Sequence, residues 1–216
     1  MKKILITAGP TKEKIDPIRF ITNSSTGRIG YLLAELARKK GFKVILITGP
    51  TFIRPPEGIK VICIESAKEL KKEVLRHISQ VDCLIMAAAV GDYRPLRIKM
   101  RKIKRRKELI LPLMRNPDIL KEAGKKKRKN QLFVGFALET ENFVKNGLQK
   151  IKEKNLDFLL VNNPGFFGEA KGKKIVKLIN KKGEIMELSS LSKRKIAERI
   201  LDEIKNYLSK VNFATT

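Results

Sequence analysis

Residues 16–30, DPIRFITNSSTGRIG, follow a short apolar run at residues 4–8 and lead into an apolar-periodic segment. This order predicts a strand, a long polar loop and a helix whose first turn contains Ser, Thr and Gly. The first N–H groups of a helix have no partners inside it and carry the positive end of its dipole, so the stretch is typical of an anion-binding site. Asn23 lies just before the helix, where its side-chain amide could meet a ligand. The alternative is that Ser24 or Ser25 only caps the helix.

The composition is that of a globular protein with a substantial core. The chain has 216 residues, of which 42% are hydrophobic and 32% are charged, and this fits one domain spanning residues 1–216. No apolar run approaches the roughly 20 residues needed to cross a bilayer, and the start of the chain lacks the long apolar region of a signal peptide. We therefore expect no membrane partner and a cytoplasmic location.

The chain is poor in the side chains that metal sites and nucleophilic catalysis use. Its two cysteines, Cys63 and Cys83, lie in apolar strand-like runs without a CxxC spacing, which predicts buried, reduced thiols instead of a disulfide or a zinc site. The single histidine, His77, lies in a lysine-rich helical segment and is predicted to be on the surface. A Ser-His-Asp or histidine–metal mechanism would depend on that one residue, so neither is expected.

The net charge of +26 and the pI of about 10.2 are usual signs of a nucleic-acid or anionic-membrane partner. Two clusters, at residues 97–107 and 125–129, concentrate the charge, but lysines also occur on every predicted helix. No helix-turn-helix, RNP or zinc-finger pattern accompanies them. This spread is typical of a lysine-rich proteome, and we do not expect nucleic acid to be the main partner.

Apolar runs alternate with helical patterns along most of the chain. The runs are short, rich in β-branched residues and apolar throughout, as expected for strands covered on both faces. Strands are predicted at residues 3–8, 43–48, 60–64, 83–90, 131–138 and 158–161, and helices at residues 26–40, 67–80, 117–123 and 141–154. The alternation predicts an α/β fold with a Rossmann-like, doubly wound and mainly parallel sheet.

Two segments depart from that alternation. Residues 175–179 and 184–188 flank an NKKG turn and predict a C-terminal hairpin, followed by a helix at residues 192–208. Residues 91–113, called the flap below, are irregular and strongly basic in the middle. Because the flap begins at the end of a central strand, it predicts a mobile cover over a phosphate-bearing ligand. Part of it could instead form a solvated β-hairpin.

A second ligand-binding pattern follows a central strand. Residues 86–95, MAAAVGDYRP, place small side chains and then Asp92 where a flat ligand could lie on the backbone and donate hydrogen bonds to the carboxylate. The alternative is that the alanines pack a helix on the sheet and Asp92 starts a turn. Dinucleotide chemistry is not expected, because the chain lacks GxGxxG and Walker sequences and a Tyr-xxx-Lys pair. The loop before residues 26–30 is also too long for the tight turn of a short-chain dehydrogenase.

Six motifs in order give the chain a resemblance to the phosphopantothenoylcysteine synthetase (phosphopantothenate–cysteine ligase) family of coenzyme A biosynthesis. They are TAGPT-x4-DP-x-RFI-x-N-x-S-x-G, AAAV-x-DY, KIKR, NPDIL, GFA-x-ET and K-x3-KNLD-x4-VN. Each is modest alone, but six in register are specific. In many bacteria this synthetase is fused behind a flavin-dependent decarboxylase that has no counterpart in this sequence. The resemblance is therefore to a stand-alone synthetase without flavin, with a separate decarboxylase as a candidate partner.

The resemblance implies a two-step ligation. The carboxylate of 4′-phosphopantothenate attacks the α-phosphate of a nucleoside triphosphate and releases pyrophosphate. The amine of L-cysteine then displaces the nucleoside monophosphate from the acyl-nucleotide. Bacterial relatives use CTP and eukaryotic ones mostly ATP, and Mg²⁺ accompanies the nucleotide, so CTP with Mg²⁺ is expected and ATP is the alternative. The metal ligands stay unassigned, and a homodimer is implied.

The resemblance also assigns roles by position. Lys102 matches the lysine that acts in forming the acyl-nucleotide, Asn23 matches the asparagine that carries the intermediate forward, and Arg19 matches an arginine that reaches the neighbouring subunit's substrate. The positions matched to the pantothenate portion are Ala88, Ala89 and Asp92. The positions matched to the nucleotide are Gly9, Ser25, Gly27, Gly30, Met86, Ala87, Ala88, Lys102, Lys104, Asn116, Pro117, Asp118, Ile119, Phe136, Lys150, Lys154 and Asn162.

Small departures from the family pattern surround Asn23, where Thr22, Ser24 and Thr26 replace commoner residues. The nucleotide preference is the least secure implication, because a few backbone contacts can set it. The other class of hypothesis is a nucleotide- or nucleic-acid-binding protein without catalysis. Such a protein would bind RNA through residues 97–107, with an affinity that falls steeply as salt is added.

Overall fold

The central feature of the fold is an eight-stranded sheet. The computed structural model describes residues 1–105, 107–167 and 173–213. Its strands are β1 (Lys3–Ala8), β2 (Lys12–Lys14), β3 (Phe20–Thr22), β4 (Lys43–Thr48), β5 (Lys60–Cys63), β6 (Cys83–Met86), β7 (Tyr93–Pro95), β8 (Leu113–Arg115), β9 (Leu132–Leu138), β10 (Phe158–Asn162), β11 (Val176–Asn180) and β12 (Ile185–Glu187). The large sheet has the order β12-β11-β10-β9-β6-β1-β4-β5, with antiparallel pairing only at β11 and β12. The predicted mainly parallel sheet with a C-terminal hairpin is therefore confirmed.

Helices cover both faces of this sheet. They are α1 (Arg28–Lys39), α2 (Ala67–His77), α3 (Ile119–Lys125), α4 (Phe143–Lys154) and α5 (Lys193–Phe213). Helices α1 and α5 pack on one face, with Ile4 and Ile6 of β1, whereas α2, α3 and α4 pack on the other face, with Leu5. This two-sided burial explains why the central strands are apolar throughout. Among the described residues, no helix has the length and apolar character that crossing a membrane would require.

Strand β1 marks the point where the topology reverses. It pairs in parallel with both β4 and β6. The chain runs from β1 outward to β4 and β5 on one side, and then crosses to β6, β9 and β10 on the other. In such a doubly wound sheet the connections leave the two central strands in opposite directions, so a crevice opens outside their carboxyl ends. Both ligand-binding patterns found in the sequence follow these strand ends.

Strand β6 is shorter than predicted, because the chain after Met86 turns onto the loop that follows β1. The amide of Ala88 donates to the side-chain oxygen of Thr7 on β1, at 3.1 Å, instead of to a backbone carbonyl of that strand. Ala89 exchanges backbone hydrogen bonds of 2.9 and 3.2 Å with that loop. The strand predicted at residues 83–90 therefore ends at Met86, and the small residues after it form a wall of the crevice.

Two short hairpins flank the crevice, and only the one in the flap was considered from the sequence. Strands β2 and β3 form one of them inside the long polar loop after β1. Strands β7 and β8 pair the two ends of the flap. Between β7 and β8 the described part of the flap has no regular structure, so the hairpin alternative holds only at its base.

The surface position predicted for His77 and the burial predicted for Cys63 are wrong. His77 is 5% exposed at the end of α2, where its Nδ1 donates to Glu73 O at 3.0 Å and its Nε2 lies 3.3 Å from Lys60 Nζ. Cys63 is exposed, since β5 is an edge strand. Cys83 on central β6 is buried as predicted, and this burial raises the pKa of its thiol well above its ordinary value.

Replacement of Gly30 by Ala tests the close contact between α1 and β1. A Cβ at position 30 would lie 2.5 Å from Ala8 Cβ and 3.1 Å from Thr7 O. Overpacking costs about 1–3 kcal/mol, which exceeds the roughly 1 kcal/mol that Ala gains over Gly inside a helix. The 2.5 Å contact favours the upper part of that cost, so we expect urea unfolding to show a net destabilisation of up to about 2 kcal/mol. The control is Lys39→Ala at the exposed end of α1, expected within about 0.5 kcal/mol of the parent; equal stabilities of the two variants would contradict the packing argument.

Candidate active site

The crevice has a volume of ≈ 670 Å³. Its walls come from the loop after β1, the segment after β6, the ends of β9 and β10, and α4. Many of the residues that the sequence predicted to bind substrate or nucleotide meet here. Those that line the crevice are Asn23, Ser25, Gly27, Ala87, Ala88, Ala89, Asp92, Phe136, Lys150, Lys154 and Asn162.

Hydrogen bonds hold the loop of residues 23–27 against the opposite wall. Asn23 Nδ2 donates to Val90 O at 3.0 Å, which ties the loop after β1 to the segment after β6. The amide of Ser25 donates to Asn23 O at 2.9 Å. Helix α1 begins at Arg28, later than predicted, because Gly27 is its N-cap with a left-handed φ of 76°. The alternative of a serine at the N-cap position is therefore wrong, although Ser25 Oγ accepts from the Gly27 amide at 3.3 Å and Thr26 Oγ1 accepts from the Arg28 amide at 3.4 Å.

The glycines predicted to contact the nucleotide let the loop, the strand and the helix approach one another closely. A Cβ on Gly27 would lie 3.0 Å from Gly9 N, and a Cβ on Gly9 would lie 3.0 Å from Gly49 O. Gly27 lines the crevice, whereas Gly9 and Gly30 lie behind its wall. Gly9 and Gly30 therefore act by allowing close packing of the loop and α1 on β1. This packing places the N–H groups of the loop at the crevice.

Met86 and residues 116–119 do not line the crevice, although the sequence predicted them as nucleotide contacts. Met86 and Ile119 are core residues, 6% and 3% exposed. Asn116 Nδ2 donates to Gly91 O at 2.8 Å and so fixes the start of the flap. Met86 and Ile119 therefore support the wall from the core, whereas the side chain of Asp118 is 43% exposed and reaches the crevice only through its contact with Lys154.

Helix α4 supplies two lysines to the crevice, both paired with carboxylates. Lys154 Nζ lies 2.8 Å from the carboxylate of Asp118, and Lys150 pairs with Glu139. Asp118 is also the N-cap of α3, accepting from the Lys121 amide at 3.0 Å. Burial acts to raise the pKa of Asp118, but the hydrogen bonds from Lys154 and Lys121 outweigh it and lower the pKa below its ordinary value. Asp118 therefore stays ionised at neutral pH and orients Lys154 along the wall.

Asn162 gives the crevice a buried polar atom. The residue is 3% exposed at the end of β10, and its Oδ1 has no hydrogen-bond partner among the residues that the structure describes. A buried acceptor without a partner costs about 1–3 kcal/mol. Since Asn162 and the ring of Phe136 line the same crevice, the uncompensated oxygen indicates a place for a donor group of a bound ligand.

The flap residues predicted to act in catalysis lie in a different cavity. Three predicted residues line this cavity of ≈ 520 Å³, namely Arg19, Lys102 and Lys104. None of them lines the crevice. Arg19 is engaged within its own chain, since its Nη2 donates to Ile103 O at 2.5 Å and its Nε lies 3.2 Å from the Asp16 carboxylate. The structure thus does not place Lys102 in the crevice with Asn23.

Two cations of the crevice, Arg28 and Lys193, were missed by sequence reasoning. Both also line a second cleft of ≈ 960 Å³, which shares residues 23–26 of the loop with the crevice. Burial, followed by the positive charges of Arg28 and Lys174, lowers the pKa of Lys193. Arg28 belongs to the TGRIG stretch and could have been noticed there. Lys193 starts the last helix, far along the chain, and no local pattern marks it.

The crevice suits an extended anion with a flat portion. Its charged lining side chains are Arg28, Asp92, Lys150, Lys154 and Lys193. The alanine wall leaves room for a flat group against the backbone. Within the described ranges there is no group of three or more His, Cys, Asp or Glu side chains that could hold a metal by themselves. A divalent ion that keeps several waters and binds mainly through ligand phosphates is compatible with the single lining carboxylate.

The chain belongs to the family described as the DNA/pantothenate metabolism flavoprotein C-terminal domain, which matches residues 1–208. It is 44% identical over 203 residues to the coenzyme A biosynthesis bifunctional protein CoaBC of Borreliella burgdorferi, covering 93% of this chain and 51% of that protein. It is 41% identical over 209 residues to a protein of an unknown prokaryotic organism named cysteine/cysteine sulfinic acid decarboxylase, covering 94% and 58%. The chain thus spans a little over half the length of these curated relatives.

A solved structure agrees with both the fold and the family. The crystal structure of the C-terminal domain of coenzyme A biosynthesis bifunctional protein CoaBC has a TM-score of 0.84 and 40% identity to this chain. The match covers 97% of this chain and 96% of that domain. The present chain and that C-terminal domain therefore align over nearly their whole lengths.

Substitution of Asn162 by Leu tests whether its buried oxygen is kept for a ligand instead of for stability. Replacing an unsatisfied polar group by an apolar one of similar shape removes its desolvation cost, so the ligand-free variant should be unchanged or more stable by about 1–3 kcal/mol. Urea unfolding without ligand is the measurement. The control is Asn116→Leu, which removes an amide bonded to Gly91 O and should be destabilising. A clear loss of stability in Asn162→Leu would show that the amide supports the fold.

Proposed function

We propose that this chain ligates 4′-phosphopantothenate to L-cysteine through an acyl-cytidylate, giving 4′-phosphopantothenoylcysteine, pyrophosphate and CMP. The observation that carries the proposal is the crevice where the topology reverses, in which Asn23, Asp92 and four cations meet a wall of small residues. Membership of the family, the relative named CoaBC and the structure of its C-terminal domain support a role in coenzyme A biosynthesis.

The first step forms a mixed anhydride. A carboxylate oxygen of phosphopantothenate attacks the α-phosphorus of CTP, and the bond from that phosphorus to pyrophosphate breaks. The carboxylate is already a nucleophile at neutral pH, so the protein has to align two anions and neutralise charge instead of removing a proton. Arg28, Lys150 and Lys154 offer that positive charge along the crevice, and Lys102 of the flap adds charge at the reacting phosphate.

The second step transfers the acyl group. The uncharged amine of cysteine attacks the acyl carbon, its nitrogen releases a proton to solvent, and CMP leaves with the electrons of the broken bond. The amide nitrogen of Asn23 carries two N–H groups, one of which donates to Val90 O. That contact orients the second N–H, which is suited to stabilise the developing charge on the acyl oxygen without titrating.

Mg²⁺ fits the crevice as a companion of the nucleotide. In nucleotide sites this ion usually keeps several waters and is held by one or two carboxylates together with substrate phosphates. Asp92, which the resemblance matches to the pantothenate portion, is the carboxylate that lines the crevice, and we propose that it would also hold the ion with the triphosphate. When bound, the ion neutralises charge on the leaving pyrophosphate.

Two variants separate the half-reactions. Asn23→Ala should release about one pyrophosphate per site but form little CMP after cysteine is added, because the acyl-nucleotide persists without its oxygen donor. Lys102→Gln should slow pyrophosphate release itself by about 100-fold or more. The measurement is the release of pyrophosphate and CMP by purified protein with phosphopantothenate, Mg²⁺ and CTP, with and without L-cysteine.

Lys99→Gln is the matched control, because Lys99 is another exposed lysine of the flap and its loss removes the same charge. It should keep the parent rates. A loss equal to that of Lys102→Gln would mean that the flap acts only through its overall charge. No pyrophosphate release by the folded parent protein with either CTP or ATP would rule out the ligase proposal.

The same assay decides the nucleotide and a competing activity. CTP is preferred in the proposal, and a larger kcat/KM with ATP would reverse that choice. One relative is named as a decarboxylase of cysteine or cysteine sulfinic acid, so CO₂ release from these amino acids alone is the competing readout. CO₂ release without pyrophosphate release would favour the decarboxylase over the ligase.

The working unit of the proposal is a homodimer. Exposed apolar side chains occur on the turn before β3, on β3 itself, on the paired ends of the flap and in the flap, and exposed apolar patches are typical of association surfaces. They are Ile18, Phe20, Tyr93, Leu96, Ile98, Met100, Leu109, Ile110, Leu113 and Met114. A second copy seated here would also explain why Arg19 and Lys102 lie away from the crevice of their own chain, since they would serve the neighbouring one.

Mixing two inactive variants tests this shared site. If Lys102 serves the neighbouring crevice, Asn23→Ala and Lys102→Gln chains that exchange subunits should recover about a quarter of the parent activity, because half of the dimers then hold one intact site. Light scattering gives the oligomeric state in parallel. No recovery from a confirmed mixture of dimers would show that Lys102 and Asn23 act within one chain, and a monomer active on its own would exclude the dimer.

A further inference from the structure

The turn of residues 16–19 forms hydrogen bonds with the middle of the flap, next to Lys102. Arg19 Nη2 donates to the carbonyl of Ile103 at 2.5 Å, and the amide of Ile103 donates to Asp16 Oδ2 at 3.2 Å. Both backbone groups of one flap residue are therefore bound by the same turn. A further backbone bond of 2.9 Å joins the amide of Lys99 to Ile15 O.

The two carboxylate oxygens of Asp16 have separate tasks. Oδ1 accepts the amides of Ile18 and Arg19, each at 2.9 Å, and so closes the turn on itself. Oδ2 accepts from Ile103 at 3.2 Å and lies 3.2 Å from Arg19 Nε. One oxygen shapes the turn, and the other oxygen joins the turn to the flap.

The surroundings of Asp16 keep it ionised for this task. Its side chain is fully buried, with 0% exposure. The hydrogen bond from the Ile18 amide is the main cause that lowers its pKa, and the amides of Arg19 and Ile103 and the Arg19 charge act in the same direction against burial. A charged acceptor makes stronger hydrogen bonds than a neutral one, so the flap is held by the carboxylate form.

We propose that Asp16 is a positioning residue that fixes the flap at Ile103, and thereby sets the place of Lys102 for the acyl-nucleotide step. This inference rests on the ligase function proposed above. Lys102 is adjacent to Ile103 in the chain, so a fixed backbone at Ile103 limits the space that the lysine side chain explores. Reactions between aligned groups are sensitive to displacements of about 1 Å, which cost on the order of 100-fold in rate.

Asp16→Asn is the decisive variant, because it separates the two tasks of the side chain. The amide oxygen can replace Oδ1 and keep the turn, whereas the NH₂ group then faces the Ile103 amide and Arg19 Nε, so that donors oppose donors. Hydrogen exchange monitored by mass spectrometry should show the peptide around Ile103 exchanging at least about 10-fold faster, with the sheet unchanged. The kcat for pyrophosphate release should fall about 10- to 100-fold, with the KM for CTP within about twofold.

Glu65→Gln is the matched control, since it removes a carboxylate that pairs with Lys14 of the neighbouring β2 and does not contact the flap. It should alter neither readout. Asp16→Ser provides a second test should Asp16→Asn fold poorly, because a serine hydroxyl can close a similar turn but is too short to reach Ile103.

The exchange and rate measurements each have a clear contrary result. Unchanged exchange at Ile103 in Asp16→Asn or Asp16→Ser would show that Asp16 does not hold the flap. Faster exchange with an unchanged kcat would show that the contact does not position Lys102. If the parent protein releases no pyrophosphate, the ligase function fails and the positioning role for Lys102 fails with it, while exchange still decides whether Asp16 holds the flap.

Discussion

The approach of Gly27 to Gly9 at the carboxyl end of β1 is the contact on which the candidate site depends. Strand β1 pairs with both β4 and β6, so the loop after it has to cross the sheet where the crevice opens. A Cβ on Gly27 would lie 3.0 Å from Gly9 N, and its absence lets the loop lie flat on the strand end. Asn23 can then reach Val90 O, which joins the two walls of the crevice.

The cations of the crevice are held in two different ways, and the difference bears on ligand binding. Lys150 and Lys154 are already oriented by Glu139 and Asp118. Their side chains therefore lose little conformational entropy when an anion binds. Lys193 is instead placed with other positive groups, which together with burial lowers its pKa. A bound anion relieves this repulsion between like charges. Part of the site is therefore ordered in advance, and part of it gains stability from the ligand.

Sequence patterns predicted the sheet and much of the crevice, because both depend on local signals. The buried strands are marked by apolar runs, and parallel strands bring their carboxyl ends to one edge. The burial of Met86 in the core and the exposure of Cys63 depend on how the elements pack and on which strand lies at an edge, and neither leaves a local pattern. The contribution of Lys193 is likewise set by the packing of α5 on α1. Spacing and composition thus could not predict the contacts between segments that are distant in the chain.

The lysine-rich composition has a structural use at the end of the sheet opposite the crevice. Asp157, which precedes β10 and is 1% exposed, accepts from Lys127 Nζ at 2.5 Å and from Lys181 Nζ at 3.0 Å. Removing one partner of such a buried pair typically costs about 3–5 kcal/mol. Lys127 belongs to the cluster at residues 125–129 that a nucleic-acid interpretation would count as surface charge, yet its side chain is 9% exposed. Lysines thus neutralise a buried carboxylate at one end of the sheet and line the anion-binding crevice at the other. Net charge alone therefore overstates the basic surface of this chain.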